Sequence, residues 1–191
     1  QPGCGCIPRE GCHIVQEGMT SMKTCFRFHM LALIIAMAAA TAGATSIRVN
    51  TRNDEDNSDG NMSLREAIKM ANATDEFDQI VFDVEGTFRL TRGDLPPITK
   101  TLEINGSSAS RVYIDGDEQY RPFFINCDPN TVVRFRYLTI HDGRAKGGDG
   151  GYGYGGGGGA AGLGGAALVN SGRALFENVV FQNNTVQGGH G

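Results

Sequence analysis

A pattern of apolar and polar positions in residues 123–148 recurs in residues 167–189, with an offset of 41 residues. The matching apolar positions are Phe135 with Phe176, Leu138 with Val179, and Ile140 with Phe181. The 19 residues of 147–165, 13 of them Gly, separate the two copies, and without them the period is 22 residues. Self-similarity at this period is typical of stacked repeats. The pattern therefore predicts an all-β fold, a parallel β-solenoid in which one copy lies on the other.

The alternation slips by one residue in each copy, just before Leu138 and just before Val179. A slip in a pattern of period two predicts two short strands that meet at a bend. Phe135, Phe176 and Phe181 are expected to stack inside, each contributing about 1.5–3 kcal/mol on burial.

Asn126 and Asn170 fall at one repeat position. Adjacent strands lie about 4.8 Å apart, so these two amides are expected to hydrogen-bond along the stack. Their predicted role is structural.

A short amphipathic helix is predicted to begin at Ser63 and to end near Asn72. Ser63 and Glu66 have the spacing of a capping box, in which each side chain accepts a hydrogen bond from a free backbone amide. Nine residues are too few for a stable isolated helix. We therefore expect its apolar stripe to cover the open end of the first strands.

Glycines mark the turns. Residues 102–106 and 112–116 each read as a strand followed by a polar residue and then Gly106 or Gly116, which predicts a positive φ at both glycines. The segment 147–165 has little apolar surface to offset the entropy of ordering, so it is expected to be a mobile surface loop. No Lys-Ser or Lys-Thr pair accompanies it, which argues against a phosphate cradle.

The first 44 residues read as processing signals. Residues 22–44 combine a positive start, eleven apolar residues from Met30 to Ala40 and small residues before a cleavage point after Ala44. The apolar run is too short to span a bilayer as a helix. Residues 1–21 then precede the start codon and are interpreted as a non-native leader. Cleavage would leave Cys127 as the single cysteine, so no internal disulfide is expected.

The charge and the acidic residues of the chain bear on which partners and metal ions it is expected to bind. The formal net charge is −4 and no basic cluster is present, which argues against nucleic acid as a partner. Asp54, Asp56 and Asp59 precede Gly60 and offer oxygen ligands for calcium, but their spacing does not fit a twelve-residue calcium loop. A solvated acidic turn is the favoured interpretation, with calcium as the alternative.

Five polar residues are of the types that catalysis uses, but no active site is predicted from them. They are Asp115, Asp117, His141, Asp142 and Arg144. Asp115 and Asp142 precede Gly in turns, where Asp is common for backbone reasons, and His141 aligns with Gln182 as an exposed strand end.

Two segments carry a family resemblance. Residues 59–72, with Ser63-Leu64-Arg65-Glu66-Ala67 at their centre, resemble the CSLREA segment near the amino end of exported bacterial β-helix proteins, with Met62 in place of the eponymous Cys. Gly164-Gly165-Ala166 and Phe181-Gln182-Asn183-Asn184 resemble the GGA and F-x-x-N motifs of polymorphic outer membrane proteins.

This resemblance implies a right-handed parallel β-helix with a short capping helix. The implied divisions are a leader (1–21), a signal (22–44), a strand, helix and cap (45–101), and β-helix coils (102–191) cut short at the carboxy end. It implies a cell-surface or secreted, adhesin-like protein that presents loops to host or matrix carbohydrate or protein. A membrane would be reached only through a carboxy-terminal anchor absent from this sequence. The alternative is a carbohydrate-active enzyme, similar to a polysaccharide lyase, whose catalytic part lies outside these residues.

Overall fold

A computed structural model describes residues 45–108, 111–151 and 158–191. The leader, the signal segment and the other four cysteines lie outside these residues. The described chain is all-β apart from one short α-helix and one 3₁₀ turn, and every strand pair in it is parallel. The elements are β1 (Thr45–Val49), α1 (Leu64–Asn72), β2 (Asp78–Phe82), β3 (Gly86–Arg89), β4 (Leu102–Asn105), the 3₁₀ turn (Gly106–Ser108), β5 (Val112–Asp115), β6 (Phe123–Asn126), β7 (Val132–His141), β8 (Arg144–Lys146), β9 (Ala167–Ser171), β10 (Arg173–Gln182) and β11 (Thr185–Gln187).

The main sheet is held together by the long strand β7. Along one edge, the first half of β7 pairs with β4 and the second half pairs with β5. The sheet then continues outward to β2 and β1 on one side and to β3 on the other. Strand β10 pairs with β7 over nine residue pairs on the opposite edge. Two smaller sheets join β6 to β9 and β8 to β11.

The predicted bend is present in both copies. Tyr137 in β7 has φ 55°, and Asn178 at the matching position of β10 has φ 54°. Each of these residues divides its strand into two halves. The two halves of β7 pair with different strands, the first with β4 and the second with β5. A left-handed backbone at a single residue turns the strand and shifts the side-chain alternation by one. The one-residue slip in the sequence is therefore confirmed as a bend.

Apolar residues stack in columns along the parallel register. One column runs through Ile80, Ile104, Phe135 and Phe176, whose spacing along the sequence grows from each pair to the next. The rings of Phe135 and Phe176 are stacked, with centroids 4.9 Å apart. The predicted pairing of the two copies is confirmed. The core lies along this column and along a neighbouring column formed by Phe88, Ile114 and Ile140.

Burial stops at the last strand of each column. Phe135 and Ile140 are fully buried, whereas Phe176 is 38% exposed and Phe181 is 47% exposed. The prediction that Phe176 and Phe181 lie inside is wrong for these residues, because no strand of the described chain pairs with the outer edge of β10.

The pairing of β6 with β9 contains an irregularity at the asparagines. The register shifts after Ile125, so that Asn126 pairs with Ser171 and not with Asn170. The Asn170 amide nevertheless donates to the Asn126 side-chain oxygen at 2.9 Å. The predicted amide contact is confirmed, although a bulge and not a straight ladder supports it.

The helix α1 has the predicted cap. The Ser63 hydroxyl accepts a hydrogen bond from the Glu66 amide at 3.2 Å, and the Glu66 carboxylate accepts from the Ser63 amide at 2.8 Å. The helix buries Leu64, Ala67 and Ile68 and contacts β1 and β2, at the end of the sheet away from β10. None of the helices in the described ranges has the length and apolar character needed to cross a membrane.

Two glycines are required for a different reason from the one predicted. Gly106 and Gly116 do not have positive φ. A Cβ at Gly106 would lie 2.2 Å from the carbonyl oxygen of Tyr137, and one at Gly116 would lie 2.5 Å from the Cα of Gly143. The close approach of neighbouring backbone, and not the turn conformation, excludes a side chain there.

The carboxy-terminal part of the glycine-rich insert is packed against the protein. The Ala160 amide donates to the Gly148 carbonyl, and the Gly189 amide donates to the Ala160 carbonyl, both at 2.8 Å. A Cβ at Gly159 would meet the Gly189 carbonyl at 2.2 Å, and one at Gly165 would meet the Thr185 carbonyl at 2.3 Å. The sequence predicts a mobile surface loop over residues 147–165. Residues 152–157 of that loop lie outside the described residues, and residues 158–165 form close backbone contacts with the segments around β8 and β11.

Candidate functional site

Three ionisable residues lie side by side at the ends of three paired strands. Arg89, Asp115 and His141 are the last residues of β3, β5 and β7, and they are partners in the parallel register. Each follows a buried apolar residue of the core column, so its side chain points to the outer face because strand side chains alternate. The stacking therefore gathers an arginine, a carboxylate and an imidazole on one surface.

Asp115 is the buried member of this group, with its side chain only 5% exposed. Its Oδ2 accepts a hydrogen bond from Arg89 Nε at 3.0 Å, and its Oδ1 accepts from the Asp117 amide at 2.8 Å. Arg89 Nε also lies 3.6 Å from Asp117 Oδ1. The hydrogen bond and the negative charge of Asp115 raise the pKa of Arg89, so this guanidinium stays charged.

His141 lies between two carboxylates. Its Nδ1 is 2.7 Å from Asp142 Oδ2 and 4.0 Å from Asp115 Oδ1. The imidazole is 19% exposed, and Tyr113 contacts it edge-on at 6.2 Å between ring centroids. The hydrogen bond with His141 lowers the pKa of Asp142, whose backbone has φ 50°.

A groove of about 560 Å³ opens beside this group. Six of its seven lining residues are polar, and the lining consists of Glu118, Asp142, Arg144, Asn183, Thr185, Val186 and Gln187. The Arg144 guanidinium donates to the Gln187 side-chain oxygen across the groove. Asp142 belongs to both the groove and the His141 group, so the groove adjoins this group.

Asn184, which the F-x-x-N resemblance singles out, holds the turn behind this group. Its side-chain oxygen accepts from the Gly143 amide, and its amide donates to the Ile140 carbonyl, both at 2.8 Å. This asparagine, which directly precedes β11, thereby fixes the backbone on both sides of His141 and Asp142. Both hydrogen bonds join Asn184 to backbone groups.

Four of the five polar residues considered from the sequence come together here, namely Asp115, Asp117, His141 and Asp142. Arg144 faces the groove instead. The description of His141 as an exposed strand end is wrong, because its ring is mostly covered and flanked by two carboxylates. Arg89 was not predicted. The sequence pattern that could have identified Arg89 is an equal spacing, from Phe88 to Ile114 and from Ile114 to Ile140. These three apolar residues are partners in the register, and Arg89 directly follows the first of them.

The acidic turn does not form a comparable group, because its three carboxylates have separate partners. Asp54 forms a two-point ion pair with Arg65, at 2.7 and 2.9 Å, with side chains 3% and 8% exposed. Asp56 pairs with Lys69, and Asp59 accepts hydrogen bonds from Asn61.

Burial opposes ionisation of Asp54, but hydrogen bonds from Arg65 and from the amides of Thr91 and Arg92 outweigh it and lower its pKa. Arg65 also donates to the carbonyls of Gly93 and Asp94, both at 2.8 Å. Asp54 therefore anchors the helix to the segment that precedes β4.

Among the described residues, the one group of three side chains whose His or carboxylate ligand atoms all lie within 4.8 Å is Asp115, His141 and Asp142. Comparisons of the chain with protein-family models, with curated proteins and with solved structures found no match.

Proposed function

We propose that this chain is an exported structural protein, built as a right-handed parallel β-helix that presents turns and grooves on its outer face for contact with carbohydrate or protein. The observation that carries the proposal is the pairing of β10 with β7 over nine residue pairs, although a long stretch of chain separates the two strands. A chain that returns in parallel to the same register, with the same bend, has the geometry of one coil laid on another.

Stacking on a second face supports the same architecture. Ile98 bridges to Ile125, and Ile125 pairs with Val169, in a sheet separate from the one that contains β7. The passages from β6 to β8 and from β9 to β11 thus each contribute one strand to each of three sheets, which is the arrangement expected of coils. The hand of the helix comes from the resemblance to CSLREA and polymorphic outer membrane proteins.

Paired cysteines on two faces test the β-helix. Thr139 pairs with Val180 in the main sheet, and Phe124 pairs with Leu168 in the β6–β9 sheet. Adjacent strands are close enough for a disulfide. In a Cys127→Ala background, both pairs introduced together are expected to cross-link at once, as peptide mapping would show. Cross-linking of one pair that excludes the other would rule out stacked coils.

The export part of the proposal rests on residues 22–44 as a signal. Expressed in a bacterial host, the protein is expected outside the cytoplasm with an amino terminus at Thr45, as found by fractionation and terminal sequencing. Leu33→Arg places a charge in the apolar run and is the matched control, expected to retain the chain unprocessed. A wild-type chain found uncleaved in the cytoplasm would overturn the export proposal and leave the β-helix untouched.

One observation favours a different enzymatic alternative, with the catalytic groups inside these residues, namely that Arg89, Asp115 and His141 meet on the outer face beside a polar groove. A buried carboxylate and an imidazole oriented by a second carboxylate are groups that general acid–base catalysis uses. Release of new sugar ends from acidic polysaccharides by the wild type, and not by His141→Gln, would establish this alternative. Equal release by both proteins would rule out His141 as a catalytic residue, and no release by either protein would leave the structural proposal standing.

A further inference from the structure

We propose that Asp115, His141 and Asp142 bind a divalent transition-metal ion of the zinc type. The proposal is independent of the structural function and needs neither export nor catalysis. It starts from the ligand set, which is one imidazole nitrogen and two carboxylate oxygens. Imidazole favours zinc and its neighbours in the first transition row, whereas calcium and magnesium prefer oxygen ligands alone.

The distances between the ligand atoms fit one ion. His141 Nδ1 is 2.7 Å from Asp142 Oδ2 and 4.0 Å from Asp115 Oδ1. One ligand atom from each of the three residues lies within 4.8 Å of the other two. Zinc bonds of about 2.1 Å in a tetrahedral site place ligand atoms about 3.4 Å apart. Side-chain shifts of under about 1 Å would bring the three atoms to this spacing around one ion.

Neighbouring groups hold Asp115 and Asp142 in position by hydrogen bonds that leave lone pairs available for the ion. Arg89 binds Asp115 through Oδ2, which leaves Oδ1 toward the imidazole with a lone pair beyond the one that accepts the Asp117 amide. The backbone around Asp142 is fixed because its amide donates to Gln182 and its carbonyl accepts from Glu118. A preorganised site of this kind loses little freedom when the ion binds.

The charge and the space at the site also suit a cation. Three carboxylates, those of Asp115, Asp117 and Asp142, act on the guanidinium of Arg89, so carboxylates outnumber the guanidinium within this group. The groove of about 560 Å³ adjoins Asp142, so water in it is available as the fourth ligand. Binding uses the tautomer of His141 that carries its ring proton on Nε2, which leaves the lone pair of Nδ1 for the ion.

Calorimetric titration of the full chain with Zn²⁺ tests the proposal, after the accessible thiols have been alkylated so that they do not bind the ion. His141→Ala is expected to remove one equivalent of Zn²⁺ or to lower the affinity of that site at least about tenfold, the size of effect typical of groups that merely support a metal ligand. His190→Ala is the matched control, because His190 is outside the group and its hydrogen bond to Asp149 uses its backbone amide.

Far-UV circular dichroism keeps the result interpretable, since the variants must retain the β-signal of the wild type. Asp115→Asn is a second variant, expected to weaken the same site while leaving the shape of the side chain nearly unchanged. Equal Zn²⁺ binding by the wild type and His141→Ala would overturn the proposal. Tighter binding of Ca²⁺ than of Zn²⁺, insensitive to His141→Ala, would also overturn it, because an oxygen-only site would then explain the data.

Discussion

Replacing Phe135 with alanine should cost far more stability than the same change at its stacking partner, Phe176. Phe135 is completely buried, with ring centroids 4.8 Å from Phe123 and 4.9 Å from Phe176. Its removal leaves an enclosed cavity between two strands that cannot close together. Phe135→Ala is therefore expected to lower the free energy of unfolding by about 3–5 kcal/mol.

Phe176 is 38% exposed, so the alanine variant loses only part of a ring's burial and leaves no enclosed cavity. Full burial of a phenylalanine is worth about 1.5–3 kcal/mol, and scaling by the buried three fifths gives about 1–2 kcal/mol for Phe176→Ala. Phe181→Ala is the control, since Phe181 is 47% exposed and should behave in the same way.

Urea denaturation is the assay, followed by far-UV circular dichroism because the chain has no Trp. The midpoint and slope give the free energy of unfolding for each variant, and equal slopes show that the same structure unfolds. Equal losses for Phe135→Ala and Phe176→Ala would refute the reasoning. They would mean that the outer edge of β10 is covered as thoroughly as β7.

Three further predictions concern the backbone and the helix end. Gly106→Ala places a Cβ 2.2 Å from a carbonyl oxygen, so it should unfold the protein at lower urea, whereas Gly148→Ala, with no atom within 4 Å, should not shift the midpoint. Ser63→Ala removes the helix cap and should cost about 0.5–2 kcal/mol, measured in the same way. Arg65→Met leaves the Asp54 carboxylate buried without its ion-pair partner, with an expected loss of about 3–5 kcal/mol at neutral pH. The folded-state pKa of Asp54 is lowered, so its contribution to the free energy of unfolding is complete above about pH 4 and is lost as the pH falls through that pKa. The free energy of unfolding of Arg65→Met should therefore decline less on acidification than that of the wild type.

The elements that depend on local sequence were predictable. A capping box is a matter of two residues three apart, and the bends at Tyr137 and Asn178 follow from a slip in the alternation. Both features are determined within a few residues of the chain, so the pattern alone identifies them.

Features that depend on neighbours distant in the chain were not predictable in this way. The group around His141 exists because β3, β5 and β7 stack in register, and only the later repeat, in β7 and β10, is visible as self-similarity. The exposure of Phe176 has the same origin, since an identical apolar position is buried or exposed according to whether a further strand lies on it. Glycine is likewise required at position 106 because the backbone of Tyr137 lies against it. The turn preferences of residues near Gly106 in the sequence carry no information about that contact.

The unequal sequence spacing within one core column indicates where this chain can accept insertions during evolution. Ile80, Ile104, Phe135 and Phe176 keep one alignment although the connections between them differ in length, so added segments are accommodated outside the column. The connections can therefore change in length during evolution while the residues of the core column keep their alignment. A foreign peptide spliced between two stacked strands would inherit that tolerance, which makes the connections the natural place to graft a new epitope.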